Sequence, residues 1–100
     1  MKETQFKQKV IDMIRTEFPA AWFKKISDRF QSGIPDILGC LNGYFFAIEL
    51  KVPGGRIAPL QEHELEKIRK AGGSAIVAYS IENVRGYLQA LNEAPHRRQV

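Results

Sequence analysis

The stretch "SGIPDILGCLNGYFFAIELK", Ser32 to Lys51, contains two runs of strand-forming residues joined by Asn42-Gly43. Asn-Gly between two such runs predicts a hairpin with a two-residue loop, because both turn positions then need positive φ. A loop of that length fixes the register. Stepping outward, Leu41 faces Tyr44, Cys40 faces Phe45, Leu38 faces Ala47, and Asp36 faces Glu49. Facing side chains share one surface of the sheet with β-carbons about 5 Å apart, and Lys51, two residues past Glu49, points the same way. One surface therefore reads Leu38, Cys40, Phe45 and Ala47, with Asp36, Glu49 and Lys51 at its end. The other carries Ile37, Leu41, Tyr44, Phe46, Ile48 and Leu50. A hairpin apolar on both sides belongs in the interior of a sheet.

Two carboxylates held at the end of such a hairpin repel by roughly 3 kcal/mol at an effective dielectric of about 20, and they also lose hydration. One lysine relieves part of that repulsion, and a divalent cation between the oxygens relieves more. Two plainer readings stand beside this one. Glu49 and Lys51 could form a surface ion pair on an edge strand, worth little to stability. Asp36, following Pro35, could merely hold a turn. The apolar residues on both faces argue against the first of these.

Outside the hairpin, Phe6, Val10, Met13, Ile14 and Phe18 recur at helical spacing from about Lys2 to Glu17, and Pro19 ends the pattern. "AAWFKKIS" reads as a short strand and "DRFQSGIP" as a loop; the hairpin strands run from about Asp36 to Leu41 and from Tyr44 to Val52. Pro59 opens a helix with Glu62 and Glu64 near its start, and Lys67, Arg69 and Lys70 close it before Gly72-Gly73, a charge order that suits the helix dipole. "SAIVAYS" is a strand, and Ser80 caps a last helix to about Leu91. The order α-β-β-β-α-β-α predicts a mixed α/β fold, a central mixed sheet flanked by helices. Gln61 and Glu3 fall at the rims of the apolar stripes of their helices. Each fits a solvated first-turn residue equally well.

The 100 residues suffice for one modest core. We expect a single domain over 1–94, with 95–100 a frayed basic tail. Composition, 44% hydrophobic and 26% charged, is that of a folded chain. No apolar run nears the length of a membrane span and "MKETQFKQKV" has no signal-peptide core, so a cytoplasmic location is expected. The single cysteine, Cys40, excludes an internal disulfide and has no partners for a zinc site. A net charge of +4 is compatible with a polyanionic partner such as nucleic acid. Lys24, Lys25, Arg29, Arg56 and Lys67 also fit an ordinary solvated basic surface.

Pro35-Asp36 followed on the next strand by Glu49-Leu50-Lys51 resembles the PD-(D/E)xK nuclease superfamily. The fuller string, "GIPDILG", "GYFFAIELK", a glycine-bearing loop and "LQEHELEKIRKAGGSAIVAYS", resembles the VRR-NUC domain, the virus-type replication-repair nuclease, in its stand-alone phage and bacterial form. The resemblance implies a restriction-endonuclease-like core and a Mg²⁺- or Mn²⁺-dependent endonuclease acting on branched DNA, including four-way junctions, as a homodimer. For a phage-encoded form it places the protein in the host-cell cytoplasm. It also implies that Asp36, Glu49 and the backbone carbonyl of Leu50 hold the metal, that Lys51 orients or activates the attacking water, and that Gln61 and Glu3 assist. Lys25, Arg29 and Arg56 become candidates for phosphate contacts, which position DNA without reading its sequence. Ala58-Pro59 departs from the hydroxyl residue that often caps the Gln61 helix. A noncatalytic nucleic-acid-binding module on the same fold is the rival reading; opposed carboxylates are superfluous for binding alone.

Overall fold

The computed structural model describes residues 2–27 and 33–97. Its elements are α1 (Glu3–Glu17), β1 (Trp22–Lys25), β2 (Ile37–Leu41), β3 (Tyr44–Leu50), α2 (Pro59–Lys70), β4 (Ser74–Ala78) and α3 (Ile81–Glu93), in the expected order. They form a four-stranded mixed sheet ordered β1-β2-β3-β4. The first three strands are antiparallel, and β4 joins β3 in parallel after the α2 crossover. Among the described residues no helix is long and apolar enough to cross a membrane.

The hairpin is built as its turn chemistry requires. Asn42 has φ 55° and Gly43 φ 82°, so both turn residues are left-handed. The register runs from Leu41 opposite Tyr44 to Ile37 opposite Ile48. Both hairpin strands lie inside the sheet and both their faces are covered. On one side Phe6, Val10 and Ile14 of α1 and Val84 and Leu88 of α3 pack on Ile37, Leu41, Phe46, Ile48 and Leu50. On the other, Leu65 and Ile68 of α2 pack on Leu38, Ala47, Ala75 and Val77. Phe45, expected on this second face, is 37% exposed.

Strand boundaries are tighter than expected. β2 starts at Ile37 rather than Asp36, and β3 stops at Leu50 rather than Val52. Sheet-like bonds nonetheless continue one residue further: the Ile26 N–H donates to the Asp36 carbonyl at 2.8 Å and the Lys51 N–H to the Ala78 carbonyl at 3.0 Å. Asp36 and Lys51 are thus held by backbone while standing just past the ladder.

Residues 95–97 of the expected basic tail make hydrogen bonds to the body of the domain. The Asn42 side-chain amide donates to the carbonyls of Leu91 at 3.0 Å and Ala94 at 2.7 Å, and the Arg97 N–H donates to the Asn42 carbonyl at 3.1 Å. Tyr44 Oη donates to the Pro95 carbonyl at 2.7 Å, and the Arg97 guanidinium reaches the Gly72 carbonyl at 3.0 Å. Polar groups of the hairpin turn supply what a polar tail needs to stay attached. A Cβ on Gly43 would run into the Arg97 backbone, a second reason for glycine there. Asn42→Ala should therefore cost about 2 kcal/mol, from the left-handed backbone and the lost hydrogen bonds to the tail, measurable by denaturant unfolding.

Candidate active site at the end of the central hairpin

Asp36 and Glu49 converge where the hairpin strands end. The Asp36 carboxylate binds two elements at once: Oδ2 accepts from the Leu50 N–H at 2.8 Å, and Oδ1 lies 3.0 Å from Lys7 Nζ on α1. Glu49 is 3% exposed, a charged residue buried in the core. Its Oε2 accepts from Gln61 Nε2 at 2.8 Å and lies 3.3 Å from Lys51 Nζ. Its Oε1 is buried with no hydrogen-bond partner among the described residues.

Gln61 owes its place to the start of α2. Ala58, the N-cap, has no side-chain acceptor; instead Gln61 Oε1, one turn on, accepts the Ala58 N–H at 2.9 Å. The amide then turns its NH₂ toward Glu49. Pro59 at the first helical position loses no hydrogen bond there. The missing hydroxyl cap therefore leaves the helix start intact.

Burial, first, and the nearby negative charge of Asp36, second, push the Glu49 carboxyl up to about 7, against the partial relief of the Lys51 ammonium. For Lys7, burial works to lower the pKa, but the hydrogen bond and charge of Asp36, with Glu3, outweigh it and leave the group raised. Lys7 and Lys51 thus each hold one carboxylate, from α1 and from the strand end.

These residues fit a hard divalent cation. A buried carboxylate oxygen without a donor, beside a second carboxylate, is the charge arrangement such an ion would complete. Backbone alternation adds a third oxygen: the Leu50 N–H points toward Asp36, so its carbonyl faces the same side of β3. Among the described residues no group of three or more His, Cys, Asp or Glu gathers. Two carboxylates and a carbonyl suit Mg²⁺ or Mn²⁺, which retain waters, better than zinc, which takes nitrogen and sulfur.

The family model of the VRR-NUC domain matches residues 1–82, a span that includes both carboxylates, Lys51 and Gln61. The chain belongs to the VRR-NUC family. A solved structure described as a VRR_NUC domain is similar to it, with 28% identity and a TM-score of 0.66 over 82% of this chain and 92% of that one. No curated protein matches it. The fold is accordingly of nuclease type, and DNA is the partner such a domain implies.

Of the residues singled out in the sequence of this VRR-NUC domain, Asp36, Glu49, Leu50, Lys51 and Gln61 are brought together. Glu3 stands one step away, its Oε1 3.5 Å from Lys7 Nζ, and its side chain is 54% exposed. Lys25 is exposed at the end of β1, opposite Ile37, and Arg56 is exposed in the loop before α2. Arg29 lies outside the described residues. Sequence reasoning missed Lys7. Its spacing from Glu3 signals a helical ion pair, but its contact with Asp36 depends on how α1 crosses the sheet.

Proposed function

We propose that this VRR-NUC domain is a Mg²⁺- or Mn²⁺-dependent endonuclease that hydrolyses phosphodiester bonds in branched DNA, four-way junctions included. The observation that carries the reading is the buried, partnerless Oε1 of Glu49 beside Asp36. A protein that only bound DNA would gain nothing from burying that charge. Asp36, Glu49 and the Leu50 carbonyl would hold the ion, which when bound polarises the phosphoryl oxygen and makes water more acidic. Gln61 fixes the Glu49 carboxylate in orientation through its hydrogen bond. Lys51 places an ammonium at the same oxygen, where it can orient the attacking water and offset charge on the phosphate. Lys25 and Arg56 are exposed cations suited to backbone phosphates. We propose a homodimer, because two strands of a junction require two sites and a two-fold pair supplies them.

The test is cleavage of labelled linear, flap and four-way DNA with Mn²⁺ at fixed salt, comparing wild type with Lys51→Ala. Wild type should cut branched DNA in preference to linear, and Lys51→Ala should be slower by about a hundredfold or more, the scale of removing one preorganised charge from a reaction centre. Metal-independent binding with no cutting would instead identify a binding module. Normal cutting by Lys51→Ala would remove that residue from the chemistry.

A further inference from the structure

Parallel neighbours β3 and β4 end side by side, the place where sheets of this kind commonly seat ligands. Besides the carboxylate site, that end opens on a cavity of about 330 Å³ between Phe6 of α1, Val52 and Pro53 after β3, Tyr79 after β4, and Ile81 and Glu82 of α3. This is the low end of the range for small-molecule sites. Two residues of its lining are chain neighbours of the lysines that pair with the carboxylates. Val52 follows Lys51, and Phe6 precedes Lys7, whose ammonium lies 3.0 Å from Asp36.

The walls suit a flat group with hydrogen-bond donors better than an anion. Tyr79 is a large aromatic side chain left 40% exposed. The start of α3, although a helix N-terminus, is poorly suited to an anion. Ser80 Oγ already accepts the Asn83 N–H at 3.0 Å, Asn83 Oδ1 accepts the Tyr79 N–H at 3.1 Å, and Glu82 brings a negative charge to the rim. A phosphate would be repelled there. A flat, largely apolar group with N–H donors on its edge would stack on Tyr79 and donate to Glu82, which is the chemistry of a nucleobase.

We propose that this cavity takes the base of an unpaired nucleotide next to the scissile phosphate, an inference that rests on the DNA-cleaving reading of the Asp36–Glu49 site. A base inside a duplex must first be unpaired and unstacked to enter, so DNA with an unpaired nucleotide at the cut is favoured. Structure selectivity then has a local cause in this chain, separate from any pairing of protomers.

The test is binding by fluorescence anisotropy in chelator at fixed salt, using the full chain and flap DNA in which each unpaired nucleotide in turn is made abasic. For wild type, one abasic position should weaken binding about tenfold, the order expected for losing one base–aromatic stack. Tyr79→Ala should bind the intact flap about tenfold less tightly and be indifferent to that position, Tyr79→Phe should behave as wild type, and all three should bind a fully paired duplex equally. A scan in which no position matters, a Tyr79→Ala protein that keeps the abasic sensitivity, or equal weakening on duplex would each overturn the proposal. Failure of Mn²⁺ cleavage with the abasic sensitivity intact removes the catalytic reading and leaves the base cavity; intact cleavage with a flat scan does the reverse.

Discussion

Glu49→Gln should move activity and stability in opposite directions. Its carboxyl titrates near 7 in the folded chain against an ordinary 4.5, so the folded state holds its proton more tightly than the unfolded one. The corresponding stability is fully present below about pH 4.5 and is lost as pH rises through 7. A shift of that size corresponds to about 3 kcal/mol. Glutamine is neutral at every pH and keeps an oxygen for Gln61, while Lys51 loses its partner. Metal-free Glu49→Gln should therefore be about 2 kcal/mol more stable than wild type at pH 8 and no more stable at pH 4.5, read by denaturant unfolding in chelator. Cleavage should fall about a thousandfold, the rate equivalent of about 4 kcal/mol of lost charge stabilisation at the phosphate. A variant that is both active and unchanged in stability would show that this carboxylate is neither strained nor used.

Asp36→Asn tests the other half of the pair and separates its two duties. Asparagine retains a carbonyl for the Leu50 N–H but no anion for Lys7 or for a cation. Cleavage should again drop about a thousandfold. Stability should change by only about 1 kcal/mol, because the half-buried Lys7 loses its ion pair while Glu49 is relieved of a neighbouring charge. That relief carries its own signature: the loss of stability between pH 4.5 and 8 should be smaller in Asp36→Asn than in wild type. Equal cleavage by the two proteins would take Asp36 out of the mechanism, and an unchanged pH profile would mean the two carboxylates do not sense each other.

The hairpin was readable from its sequence because its information is local. Asn42-Gly43 sets the turn, the turn sets the register, and the register brings Asp36 and Glu49 to one end of the sheet. Helical spacing places Gln61 only at the rim of the apolar stripe of its helix, and its part in the site is implied by the family resemblance. Its double role follows from the lack of a polar side chain at Ala58. Lys7 and the tail were not readable. The ammonium of Lys7 meets a carboxylate far along the chain only after α1 has docked, and the tail is held by side-chain to backbone bonds between Asn42 and residues about fifty positions away. No periodicity records contacts of that kind. The partnerless oxygen of Glu49 was equally hidden, since it depends on which donors every surrounding element fails to supply.

The amide of Gln61 is shared between the backbone N–H of Ala58, the N-cap of α2, and the Glu49 carboxylate. Melting of that single turn would therefore release the carboxylate to rotate, and any ligand that immobilises the carboxylate would in return stiffen the turn. Fraying of the helix and geometry at the reaction centre are consequently one equilibrium seen from two ends.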